Sequence, residues 1–134
     1  IIKNGYSENI IADFSSKSPY KYNDRVKMMV VVFPDEKRSS SDVKSRISDF
    51  HREFFSRDRL KIKSKVFKEG SVIIVDEFEN ESAAGKYITA YKNTRKYLLD
   101  LQNAKIMMIS QENLIILLQK QELKEYDLFY EEYY

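Results

Sequence analysis

Two short apolar runs constrain this chain more than any other feature. They are Arg25 to Phe33, RVKMMVVVF, and Val72 to Phe78, VIIVDEF. Both are rich in β-branched residues and short for a helix, so each reads as a buried, central strand. Pro34 ends the first run, and a polar loop continues to Ser41. Ser41 or Asp42 can cap a helix, in which Val43, Ile47, Phe50 and Phe54 recur at helical spacing to about Phe55.

The segment Leu60 to Lys68, LKIKSKVFK, reads differently. Ile62 faces one way and Lys61, Lys63 and Lys65 the other, until Val66-Phe67 breaks the alternation. That pattern predicts a half-exposed strand. Glu69-Gly70 predicts a turn, which joins it to the VIIVDEF strand as an antiparallel hairpin. Asn80 or Ser82 caps a second helix with Ala84, Tyr87, Ile88 and Tyr91 on its buried stripe. Tyr97, Leu98 and Leu101 follow as a loop or short turn, and Lys105 to Ile109, KIMMI, gives a fourth strand. Leu114, Ile115, Leu117 and Leu118 fit a helix capped by Ser110, and they also fit an extended strand. Glu122 to Tyr134 predicts a closing aromatic helix.

The order β-α-β-β-α-β with right-handed crossovers places the two most apolar strands side by side in the middle. The expectation is an α+β, ferredoxin-like antiparallel sheet of order 4-1-3-2 with extra C-terminal helices. The 134 residues suffice for one core that buries roughly two-thirds of the unfolded surface. Residues 25 to 134 read as that single domain. Residues 1 to 24 read as a leading segment or linker, partly ordered or docked on the domain's edge, with Ile10, Ile11 and Phe14 as one short apolar turn. The chain reads as a piece of a larger protein whose localisation signal lies outside it.

Composition narrows the chemistry. The absence of cysteine removes thiol catalysis, disulfides and thiolate metal sites. Lys+Arg at 23 against Asp+Glu at 21 is too balanced for binding to nucleic acid driven by net charge. The central strands also carry no mid-strand aromatic on which a base could stack, so no nucleic-acid partner is expected. The three glycines are too far apart for a phosphate-cradling loop. The longest apolar run, Met28 to Phe33, is far too short to span a membrane. The single histidine, His51, falls at the edge of the first helix's apolar stripe and reads as a surface or boundary residue, with no cluster of zinc ligands around it. Asp76, Glu77, Glu79 and Glu81 gather at a strand end, where two acids could act as acid and base or hold a divalent cation. Strand ends and helix starts favour acids without any such role. No catalytic residue, metal site or cofactor is assigned, and the chain reads as a non-enzyme.

The closing helix carries Tyr126, Phe129, Tyr130, Tyr133 and Tyr134 within a few turns. One stripe, Tyr126, Phe129 (or Tyr130) and Tyr133, can pack against the domain, and the remaining tyrosines can meet a partner. The two roles can overlap, and Tyr126, Tyr130, Tyr133 and Tyr134 are the candidate partner-binding residues.

Several segments carry a resemblance in sequence order. They are VVVFPDEKRSSSDVKSRISDFHREFF, VDEFENESAAGKYITAY, Ile109-Ser110 with Asn113, and Glu125-Tyr126 through Phe129 to Tyr133. Together, over about residues 19 to 134, they resemble the C-terminal domain of large tetratricopeptide-repeat lipoproteins of Bacteroidota, which serve gliding motility and type IX secretion. The chain departs from that pattern at His51, where Asn is commoner. The resemblance implies a periplasmic domain of a lipid-anchored cell-envelope protein that binds a protein partner in an assembly, and it transfers no catalytic residue. The element order also resembles the peptidoglycan-binding SPOR domains, which makes glycan binding on an open sheet face the alternative expectation.

Overall fold

The computed structural model describes residues 18–35 and 37–134. The proposed turn around Ile10, Ile11 and Phe14 lies outside them. Four strands, β1 (Met28–Phe33), β2 (Lys61–Phe67), β3 (Gly70–Phe78) and β4 (Lys105–Ser110), form one antiparallel sheet in the order β2-β3-β1-β4. This is the order expected from the sequence. The strand β1 begins later than Arg25 because the Asn23 side chain accepts from the Arg25 amide, 2.9 Å, and turns the chain before it becomes extended.

Helix α1 (Ser40–Phe54) is capped by Ser39, whose hydroxyl accepts from the Asp42 amide. Helix α2 (Glu81–Asn93) is capped by Asn80, whose side chain accepts from the Ala83 amide. Both caps satisfy an amide that the first helical turn leaves without a partner. The helices pack on one face of the sheet, where Met28, Val30, Val32, Ile73 and Val75 meet Val43, Ile47, Phe50, Ala84, Tyr87 and Tyr91. A single 3₁₀ turn at Leu99–Leu101 drops Leu98 and Leu101 into the same core.

The opposite face is also covered. Met29, Val31, Val72, Ile74, Met107 and Ile109 point to it, and they are enclosed by α3 (Gln111–Lys120) and α4 (Lys124–Tyr133) through Leu114, Leu117, Tyr126 and Phe129. The segment after Ser110 is therefore the helical option of the two its pattern allowed. Ser110 ends β4 and caps α3 at once, its hydroxyl accepting from the Asn113 amide at 3.2 Å. The domain is a three-layer helix–sheet–helix sandwich. The near-continuous apolar runs of β1 and β3 match burial on both faces.

In β2 the alternation does not break at Val66-Phe67. Phe67 lies on the lysine face but is buried in the second core against Phe33, while Val66 lies on the Ile62 face and is 74% exposed. What changes along β2 is its cover and not its register.

Candidate functional site

The leading segment is docked from Ser18 onward. Tyr20 packs against Tyr126 and Phe129 of α4, with ring centroids 5.0 and 5.9 Å away, and burial pushes its hydroxyl up to about 12. Asn113, wholly buried in the first turn of α3, clasps the backbone of Lys21. Its Oδ1 accepts from the Lys21 amide at 3.0 Å and its Nδ2 donates to the Lys21 carbonyl at 2.9 Å. One residue on, Tyr22 stacks on Tyr133 with centroids 5.0 Å apart and rings 10° from parallel, and its hydroxyl donates to Glu81 at 2.6 Å.

The four candidate tyrosines fall into different environments. Tyr126 is wholly buried, and its hydroxyl donates to the Met108 carbonyl at 2.7 Å. Burial raises its pKa far above the phenol range. Tyr130 is half-buried, and its hydroxyl accepts from the Met108 amide at 3.3 Å. Tyr134 is half-buried against Tyr130 and Tyr22. Tyr133 alone of the four is exposed, at 44%. The packed stripe is Tyr126 and Phe129, so the side chain of Tyr126 has no surface to offer a partner.

Tyr126 and Tyr130 close one edge of the sheet. On β4, the strand farthest from β2, the amide and carbonyl of Met108 that face away from β1 are occupied by these two hydroxyls. Lys105 on the same strand pairs with Asp127 at 2.6 Å. Beyond this edge, Tyr133 on α4, with Tyr22 (39% exposed) stacked on it, forms an accessible aromatic surface, and Leu128 (42%) is exposed on another side of the same helix. Composition could not separate these residues from their buried neighbours.

The acids at the end of β3 do not converge. Asp76 approaches Lys63 at 3.7 Å, Glu77 approaches Lys27 at 3.5 Å, and Glu81 accepts from Tyr22. Opposite Met28 to Val30 the β3 register slips by one residue, a bulge that sends Asp76 and Glu77 to different partners. Among the described residues no three His, Cys, Asp or Glu side chains come together to hold a metal ion. A cleft of about 240 Å³ opens beside this bulge, lined by Asn23, Lys27, Glu77, Ser110 and Glu112 among others. Its charges are mixed in sign.

His51 corrects the expectation from sequence. It is a packed residue, 8% exposed, within an aromatic group of Phe50, Phe55 and Tyr87. Its Nε2 lies 2.6 Å from the Tyr87 hydroxyl, and burial lowers its pKa to about 4. The neutral ring is a polar member of the core. The sheet face that glycan binding would need is the one covered by α3 and α4. No helix among the described residues is long and apolar enough to cross a membrane. Comparison of the chain with known protein families, curated proteins and solved structures returns no match.

Proposed function

We propose that this domain is a non-catalytic, protein-binding element of a cell-envelope assembly of the secretion or gliding-motility type. In this reading it is periplasmic and carried on a lipid-anchored protein. The sequence resemblance suggests the setting. The observation that carries the binding role is the split along α4. Tyr126 and Phe129 are spent on the core, while Tyr133 on the same helix stays exposed beside the stacked ring of Tyr22, and Leu128 is exposed on another side of the helix. Aromatic side chains with fixed neighbours lose little freedom on association and bury a large area, which is why they dominate interface energies.

The test is capture of partners from a solubilised Bacteroidota envelope extract on the immobilised domain. Removing the closing helix would strip Tyr126 and Phe129 from the core, so the site is probed by Leu128→Ser and Tyr133→Ser together. The expected result is retention of a secretion-ring or motility protein that the double variant loses while still unfolding in one cooperative transition. Equal capture by the two proteins would remove α4 from the site. Capture of no envelope protein would count against the reading itself.

A further inference from the structure

The two edges of the sheet are treated differently, and the difference points to a ligand. At β4 the outward backbone groups of Met108 are occupied by Tyr126 and Tyr130. At β2 the corresponding cover, among the described residues, comes from one side chain at one end. Gln121, just after α3, donates through Nε2 to the Val66 carbonyl at 3.2 Å and accepts through Oε1 from the Lys68 amide at 2.6 Å. These bonds fix which backbone groups of β2 point away from β3. Since Phe67 pairs with Gly70 across the hairpin, Val66 points outward, and by the two-residue repeat so do Ser64 and Ile62.

The side chains along this edge are sorted by face. Lys61, Lys63 and Lys65 project on one face, and Ile62, Ser64 and Val66 on the other. Lys63 shares Asp76 at 3.7 Å, and among the described residues Lys61 and Lys65 meet no carboxylate. A strand laid against β2 would place alternate residues beside the lysine row and the intervening ones beside Ile62 and the exposed Val66. Lysines on an edge repel a second copy of the same edge, whose lysines would meet them. They attract a strand of opposite charge.

We infer that the β2 edge takes an extended protein segment in which acidic residues alternate with β-branched apolar ones, added as a fifth strand over Ile62 and Ser64. This deepens the proposed protein-binding role and rests on it. It is a second contact, distinct from the surface around Tyr133.

The probe is a fluorescein-labelled hexapeptide, Glu-Val-Glu-Val-Glu-Val, titrated with the intact protein and followed by anisotropy. Saturable binding is expected that weakens with added salt. Reversing two lysines, Lys61→Glu with Lys65→Glu, should weaken it by about tenfold. Ser64→Pro removes an amide that points outward, a placement an edge strand tolerates, and should abolish binding. Methylating alternate amides of the peptide should abolish it as well, and that variant leaves the protein untouched. The inference is overturned by an absence of binding, by equal binding of Lys-Val-Lys-Val-Lys-Val, or by binding indifferent to both the lysine reversals and amide methylation. Self-association lost on Ser64→Pro would identify a second copy as the occupant and equally overturn it. If the peptide fails while envelope capture through Leu128 and Tyr133 succeeds, the edge inference falls and the protein-binding role stands. If the peptide binds and capture fails, the edge inference stands, and what falls is the envelope setting and the contact through Tyr133.

Discussion

The Asn113 carboxamide holds both backbone groups of Lys21, accepting from its amide at 3.0 Å and donating to its carbonyl at 2.9 Å, across 92 residues of sequence. It does for the leading segment what a neighbouring strand would do. The clasp sets Tyr20 into the second core and Tyr22 onto Tyr133. Asn113→Ala leaves two backbone groups without their partner and a hole in α3, a loss of about 2 kcal/mol. Urea unfolding measures the loss. Trypsin cleavage after Lys21 should accelerate in parallel, because the bond it attacks is no longer held.

The strands, the first two helices and the sheet order were legible because β-branched runs and helical spacing report directly on burial. Val43, Ile47, Phe50, Ala84, Tyr87, Ile88 and Tyr91 are all buried where their spacing puts them. The third layer was less legible. Periodicity shows that α3 and α4 have an apolar face but not which surface receives it, and Tyr20 and Tyr22 lie in a polar stretch with no period at all. Among the candidate tyrosines, spacing placed Tyr126 in a packing stripe. It could not foresee that its hydroxyl and that of Tyr130 would both find Met108, since that depends on the depth at which α4 meets β4.

That pair leads to a second prediction. Tyr126→Phe unpairs the Met108 carbonyl and Tyr130→Phe the Met108 amide, each costing about 1 kcal/mol. In the double variant the two rings still cover the strand, so both groups are left without a hydrogen-bond partner beneath them. Urea unfolding should show each single variant destabilised and the double variant losing more than either, with no change in the oligomeric state by sedimentation velocity.

His51 makes stability depend on pH in a defined window. Its folded-state pKa of about 4 lies below the 6.5 of an unfolded histidine, because burial among Phe50, Phe55 and Tyr87 disfavours the charged ring and outweighs the pull of Asp58. Between these values the unfolded chain binds the extra proton, so the contribution is present above pH 6.5 and is lost as pH falls towards 4. The loss is on the order of 2 kcal/mol. His51→Gln keeps a group able to bond the Tyr87 hydroxyl but does not titrate. Urea unfolding at pH 7.5 and pH 4.5 should show the wild type losing more stability than the variant by about that amount. The carboxylates common to both proteins cancel in the difference.

Gln121 carries two opposing effects that substitution can separate. Its backbone is left-handed, φ 55° and ψ 34°, at the residue that ends α3, a conformation that favours glycine. Its side chain meanwhile bonds Val66, Lys68 and Leu118, tying the β2–β3 hairpin to α3. Gln121→Ala keeps the strained backbone and loses all three bonds, whereas Gln121→Gly loses the bonds but relieves the strain. The alanine variant should therefore be the less stable of the two by about 1 kcal/mol, although glycine is the residue with more freedom to lose on folding. Both should speed hydrogen exchange at the Lys68 amide, since its acceptor is gone in each. If alanine proves the more stable, strain at this position is negligible and the conformation of the cap is set by the side-chain bonds alone.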